Sequence, residues 1–164
     1  MSKSLKIQKK RRRQNRTDYK ARLVLLKSGR PRIAVRRTNK FVLMQVIESK
    51  ESQDKILLGV SSKDLLDNGW DKKYIGSLKS VPAAYLTGLL MASKLDKKQN
   101  YIIDMGMARN IHGSRIYASI NGLVDGGVNL KVNKEVFPSK DRLNGEHMED
   151  DVKKMIAKVK EKLK

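Results

Sequence analysis

Apolar residues are nearly absent from the first 16 positions, where Leu5 and Ile7 stand isolated among lysines and arginines, and they then return in clusters. So little apolar surface predicts no folded structure for residues 1–16 until a partner neutralises their like charges. From Thr17 the pattern changes. Ala21 and Leu25, with Tyr19 beside them, fall near one helical face, and the run Leu23 to Leu26 makes that face broad. Thr17 or Asp18 can cap this short helix, and Ser28-Gly29 ends it before Arg30-Pro31 turns the chain extended.

Two strand-like runs follow, RIAVRR (32–37) and FVLMQVIE (41–48), joined at Thr38-Asn39-Lys40. Ile33, Val35 and Arg37 alternate with Arg32, Ala34 and Arg36, which predicts one buried face and one basic face. Asn39 tolerates the positive φ that a tight hairpin often requires. KILLGVSS (55–62) reads as a third strand after a polar loop. SKDLLDNGW (62–70) reads as a short helix capped by Ser62, with Asp64 in its first turn and Gly69 near its end.

Ser80-Val81-Pro82 opens a longer helix that reaches about Lys94. Its AAYLTGLLMAS is apolar on nearly every side and rich in small residues, so it is expected to be buried tightly against the sheet. YIIDMG (101–106) is a short buried strand that crosses back into that sheet. After RNIHGS, the residues Ile116, Ile120, Leu123 and Val124 share a helical stripe, and 133–146 is a turn-rich connection. Met148, Val152, Met155, Ile156, Val159 and Leu163 then mark a last helix with its acids early and its lysines late. The fold class is α/β: a mixed sheet (a three-strand meander plus a crossover strand) packed with helices, a basic N-terminal arm and a C-terminal amphipathic helix. The expected division is arm and short helix at 1–28, core at 29–138, and C-terminal connection and helix at 139–164.

Charge changes this picture from a fold to a function class. The 164 residues carry 37 Lys and Arg against 17 Asp and Glu, a net charge of +20. Residues 1–40 hold 16 of those cations against Asp18 alone, so +15 of the excess lies there. Such an excess favours a polyanion, nucleic acid first among them. A membrane is not indicated: no apolar run approaches the ~20 residues of a spanning helix, and the N-terminus lacks a secretory signal pattern. There is no cysteine, which excludes disulfides and thiolate chemistry and fits a cytosolic protein.

Catalytic chemistry finds little support. Asp104 at a strand end and Asp125 in LVDGGV could in principle hold a divalent cation as a nuclease does, but no further acid is placed to complete such a site. The simpler expectation is that Asp104 caps a turn and Asp125 ends a helix before Gly126-Gly127. His112 and His147 stand far apart in polar loops, without metal-ligand spacing. Neither a Walker pattern nor G-x-S-x-G occurs. No enzyme activity, cofactor, metal or small-molecule substrate is expected.

The cations continue from the arm through Arg22 and Arg30 into the strand arginines, interleaved with Gln14, Asn15, Tyr19, Asn39 and Gln45. Lysine and arginine attract phosphate whatever the sequence, while arginine planes and tyrosine can stack on unpaired bases and amides can bond their edges. Tyr19 has a second reading, as a ring packed under the first helix.

TDYKAR, PRIAVRRTNK, AAYLTGLL, IDMGMARNIHGSRIYASINGLVDGG and RLNGEHM occur in this order. Through them, over roughly residues 16–148, the chain resembles the large-subunit ribosomal protein L-eighteen family, in its archaeal and eukaryotic branch. The resemblance implies binding of 5S rRNA and its attachment to large-subunit rRNA in the central protuberance, beside neighbouring ribosomal proteins that include the other 5S-binding protein, in cytoplasmic ribosomes. By position it implies RNA contacts at Arg16, Thr17, Asp18, Tyr19 and Arg22, at Arg32, Arg36, Arg37, Asn39 and Lys40 of the hairpin, and at Gln45. It also implies them at His112, Gly113, Ser114 and Arg115, and at Arg142, Gly145 and His147. Lys9, Lys10, Arg11, Arg12, Arg13 and Arg30 add phosphate contacts on charge alone. The chain departs from the family pattern at Gly76-Ser77-Leu78-Lys79-Ser80, where relatives commonly have Gly-Asn, and at NLKVNKEVFP after VDGGV. The competing reading is a basic RNA-binding or chaperone module outside the ribosome.

Overall fold

The computed structural model describes residues 7–51 and 53–163. The arm contains one helical turn, α1 (Lys10–Arg13), followed by α2 (Tyr19–Lys27). Strands β1 (Arg32–Arg37), β2 (Val42–Lys50) and β3 (Gln53–Ser61) form the meander. Then come α3 (Val81–Lys94), β4 (Ile102–Asp104), α4 (Arg115–Asp125), α5 (Lys140–Asn144) and α6 (Asp150–Leu163), with 3-10 turns at Ser62–Leu65, Lys72–Ser77 and Lys134–Val136. Among the described residues, no helix is long and apolar enough to cross a membrane.

The sheet runs β3-β2-β1-β4, antiparallel through the meander and parallel between β1 and β4. Its mixed character follows from chain economy: short turns link antiparallel neighbours, whereas a parallel neighbour needs a long crossover, which α3 supplies. The face carrying Ile33, Val35, Val42, Met44, Val46 and Val60 is buried. α3 and α4 pack there, and Val152, Met155, Ile156 and Val159 of α6 complete the same core. α3 is enclosed by the sheet, α4, α5 and α6, which explains a helix apolar all round.

Where α3 meets α4 there is no room for side chains. A Cβ on Gly88 would lie 2.1 Å from the Ser119 carbonyl oxygen, and one on Gly122 would lie 2.2 Å from that of Tyr85. The small residues visible in the α3 sequence therefore allow backbone-to-backbone contact with a second helix as well as burial against the sheet.

Several local expectations are corrected. The Thr38-Asn39-Lys40 turn does not use a left-handed Asn39. Instead the Thr38 hydroxyl accepts from the backbone N–H of Phe41 (2.9 Å) and donates to the Phe41 carbonyl (2.8 Å), holding the loop from its first residue. The turn after β3 is capped by Ser61 and Asp64 in a reciprocal box, while Ser62 is buried and its hydroxyl accepts from the Val42 N–H. The connection at 133–146 contains the short helix α5, closed by Gly145 at φ 75°. α2 buries none of its residues: Leu23 and Val24 are exposed, so the broad apolar run is not a core face. In the arm, residues 10–13 form a helical turn where no regular structure is expected; residues 1–6, covered by the same expectation, lie outside the described residues.

Candidate nucleic-acid interface

The cations of the arm are exposed from Lys9 to Arg13 and at Arg16. The arm folds back on itself, with Arg11 Nε donating to the Thr17 hydroxyl at 2.9 Å and Lys9 Nζ lying 5.2 Å from the Tyr19 ring centroid. Tyr19 is half-buried under this ammonium and takes no part in the core. Asp18 is the helix cap: its Oδ1 accepts from the N–H groups of Lys20 (2.9 Å) and Ala21 (3.1 Å). Its carboxylate therefore orders the start of α2.

Across the sheet face opposite α3 and α4, three arginines and two aspartates alternate. Arg22 of α2 and Arg32 of β1 both reach Asp54 Oδ2 on β3, at 2.8 and 2.6 Å. Arg32 Nε stands 3.8 Å from Asp104 on β4, and Arg36 grips the same residue through its carboxylate (3.0 Å) and its carbonyl (2.6 Å). Burial raises the Asp54 carboxyl, but the Ser49 hydroxyl and the Arg22 and Arg32 guanidiniums outweigh it and hold the group below its ordinary value of 3.8. This chain of charges ties α2 to β3, β1 and β4.

Arg32 is the clear correction among the expected RNA contacts. It is only 4% exposed, and its guanidinium faces Asp54 and Asp104, so it positions other groups and is not presented to a ligand. Arg36 is half-covered, and Arg22 is partly engaged by Asp54. Between the arm and the β4 end lies a groove of about 810 Å³ whose walls include Arg11, Arg16, Lys20, Arg22 and Arg36. The arm motif and Arg36 of β1, distant in sequence, meet here.

Arg37, Asn39 and Lys40 are exposed at the hairpin tip, and Gln45 is half-buried in the open sheet face between Ala34 and Gly59. The tip faces the start of α4. Arg37, Asn39 and Arg115 line one cleft together with Lys79, and Arg115 Nη1 donates to the Lys79 carbonyl at 3.1 Å. His112 is exposed one residue before Gly113 (φ 68°) and stands edge-on to Tyr117, while the Ser114 hydroxyl is buried without a hydrogen-bond partner. Arg142 and His147 are exposed on and just after α5, which packs on α3 and α6, and they share no cleft with the arm or hairpin residues.

Sequence reasoning missed three participants. Asp54 reads as loop polarity, and only the pairing of Ser49 with Asp54 across the β2–β3 hairpin brings it onto the arginines. Lys79 and Lys20 are not among the expected contacts, and spacing alone carries no sign that they line clefts. Asp104 caps a turn as expected, its Oδ1 accepting from the Gly106 N–H at 2.8 Å. Asp125 ends α4 and accepts from the Tyr85 hydroxyl at 2.8 Å. Among the described residues, no three of His, Asp and Glu gather as a metal site would require.

Comparison with known proteins accords with this surface. A family model described as "Ribosomal large subunit proteins 60S L5, and 50S L18" matches residues 3–101. The "Large ribosomal subunit protein uL18" of Korarchaeum cryptofilum is 40% identical over 152 residues, which is 92% of this chain and 76% of that protein. The protein of the same name from Methanothrix thermoacetophila is 39% identical over 160 residues, covering 94% of this chain and 92% of the relative. The chain belongs to this family of large-subunit ribosomal proteins, and its role is that of a structural constituent of the ribosome, not an enzyme.

Proposed function

We propose that the protein binds 5S rRNA and fastens it to large-subunit rRNA in the central protuberance, next to the other 5S-binding ribosomal protein. The observation that carries this reading is the Arg22–Asp54–Arg32–Asp104–Arg36 chain, because it holds α2 and the strands in one register. Cations on a fixed scaffold can select an RNA by its shape, whereas cations on a free tail attract any phosphate. The choice of 5S rRNA among RNAs rests on the family resemblance.

In this reading the parts divide the work. Residues 1–15 act as a general phosphate clamp. Arg16, Thr17, Arg22 and Arg36 face RNA across the groove beside β4, while Tyr19 contributes from the arm, where it sits under the Lys9 ammonium. Arg37, Asn39, Lys40, Gln45, His112 and Arg115 form the reading surface of the 29–138 core, with Ser114, its hydroxyl buried, at the start of α4 behind them. Arg30 adds phosphate contact, and Arg142 and His147 make a separate contact area at the C-terminal unit.

The test is a gel-shift titration with 5S rRNA against excess tRNA at moderate salt, with a chain lacking residues 1–15 alongside. Both proteins are expected to prefer 5S rRNA. The truncated one, without seven cations, should bind more weakly and with a shallower salt slope, by about 0.7–0.9 for each phosphate it no longer neutralises. Equal competition by tRNA would overturn the reading.

A further inference from the structure

The cleft between the hairpin tip and α4 has a second lobe. The first, about 310 Å³, is walled by Arg37, Lys79 and Arg115. The second, about 340 Å³, is walled by Phe41, Ile75 and Gly76, and the two share Asn39 and Lys79. Each falls in the range of about 300–1,000 Å³ typical of small-ligand sites. Their chemistry differs: one wall is cationic, the other aromatic and aliphatic. No carboxylate lines either lobe, whereas the groove beside the arm contains Asp18 and Asp104, and the hollow by α5 and α6 contains Glu146 and Glu161.

Ile75 is half exposed at the rim, and Phe41 packs partly against the core while still lining the lobe. An exposed aliphatic residue beside an aromatic one, bounded by Lys40 and Lys79, makes a poor solvated surface. It makes a good seat for a flat, uncharged group joined to an anion. An unpaired nucleotide has that constitution: a base with apolar faces and polar edges, on a phosphate.

We infer that this double cleft takes one nucleotide turned out of an RNA loop, its base in the Phe41–Ile75 lobe and its phosphate in the Arg37–Lys79–Arg115 lobe. The inference rests on the RNA-binding reading above and adds to it a site that accepts only unpaired nucleotides. Asn39, on the wall common to both lobes, is placed to bond a base edge through its amide, while the cations act on phosphate alone. Duplex RNA keeps its bases stacked inside and cannot fill the apolar lobe.

The two lobes make separable signatures in a salt titration of the full chain with 5S rRNA. Phe41→Leu keeps an apolar side chain but removes the ring, and is expected to weaken binding about fivefold or more, the lower end of the loss seen when base–aromatic stacking is removed. The plot of log affinity against log salt should keep its slope, since every cation stays in place. Ile75→Ser, at a half-exposed position with little risk to the fold, should act the same way. Lys79→Ala should flatten the slope by about 0.7–0.9.

Binding by Phe41→Leu and Ile75→Ser within twofold of the parent, with melting curves showing both folded, would overturn the inference. If those variants and the parent alike fail to prefer 5S rRNA over tRNA, it is the broader RNA reading that fails. If all keep the preference at parental strength, only the nucleotide slot fails.

Discussion

Replacing Gly122 with alanine puts the α3–α4 crossing under direct strain. The added Cβ would stand 2.2 Å from the Tyr85 carbonyl oxygen, 2.9 Å from the Leu89 nitrogen and 3.0 Å from the Gly88 Cα. All three obstacles are backbone, so no rotamer change relieves them. Bringing the shortest contact to 3.0 Å requires the helices to part by about 0.8 Å at that point. A gap of about 0.5–1 Å forfeits roughly a quarter to a half of the dispersion energy of the atoms facing it. Eleven residues of α3 are buried, so the loss spreads along the interface. Overpacking costs typically about 1–3 kcal/mol and occasionally more, and rigid backbone on both sides puts this site at or above the upper end. Alanine returns about 0.8–1.0 kcal/mol of helix propensity. The net destabilisation is then about 2–4 kcal/mol, or a melting temperature lower by roughly 5–15 °C for a chain of this size. Thermal melts followed by circular dichroism measure it, with Gly76→Ala as control, since a Cβ there meets nothing within 4 Å. A Gly122→Ala protein that melts with the parent, or a control that falls as far, refutes the close-crossing argument.

Other outcomes follow from the charge chain and the caps. Asp54→Asn should destabilise by about 2 kcal/mol, less than the 3–5 kcal/mol of a fully buried pair because Asp54 is about a third exposed. As the folded-state pKa of Asp54 is depressed, its contribution is present above the unfolded value of 3.8 and disappears as pH falls through the folded one; the gap between parent and variant in urea melts should begin to close near pH 3.8 and go on closing below it. Asp18→Ala should cost α2 about 0.5–2 kcal/mol, read as faster amide exchange within Tyr19–Lys27 with an unchanged global melt, because that helix buries no residue. Tyr85→Phe should lose about 1 kcal/mol with the Asp125 hydrogen bond. Burial and Asp125 push the Tyr85 hydroxyl upward, so this residue's contribution is full below its unfolded value of 10 and lost only at more alkaline pH.

What is legible in the sequence is what depends on near neighbours. The helical stripe of α6, the cap at Ser80 and the strand character of β1 each declare themselves within a few residues and form where expected, but β1 buries Arg32 and Ala34 as well as Ile33 and Val35, and Arg37, expected on the buried face, is exposed. The fate of the β1 arginines is not legible, because alternation says which face a side chain takes and nothing about what waits there. Arg32 meets Asp54, 22 positions away, and Arg36 meets Asp104, 68 positions away. A basic face inferred from period two is thus a partly neutralised one. The two-lobed cleft is hidden for a similar reason: Phe41 and Ile75 read as an ordinary strand residue and an ordinary turn residue, and only the approach of the hairpin to the 3-10 turn before α3 sets them side by side.

The 68 positions between Arg36 and Asp104 also set an order of events during synthesis. A chain made at about 5–20 residues per second presents its arm and strand arginines for roughly 3–14 s before the aspartate that will hold Arg36 exists. Through that interval the growing chain carries its cations with fewer internal carboxylates to answer them. Pairing of β4 beside β1 closes the interval. From then on Arg32 and Arg36 are fixed in direction and partly neutralised, and this part of a loose polycation has become a surface with a shape.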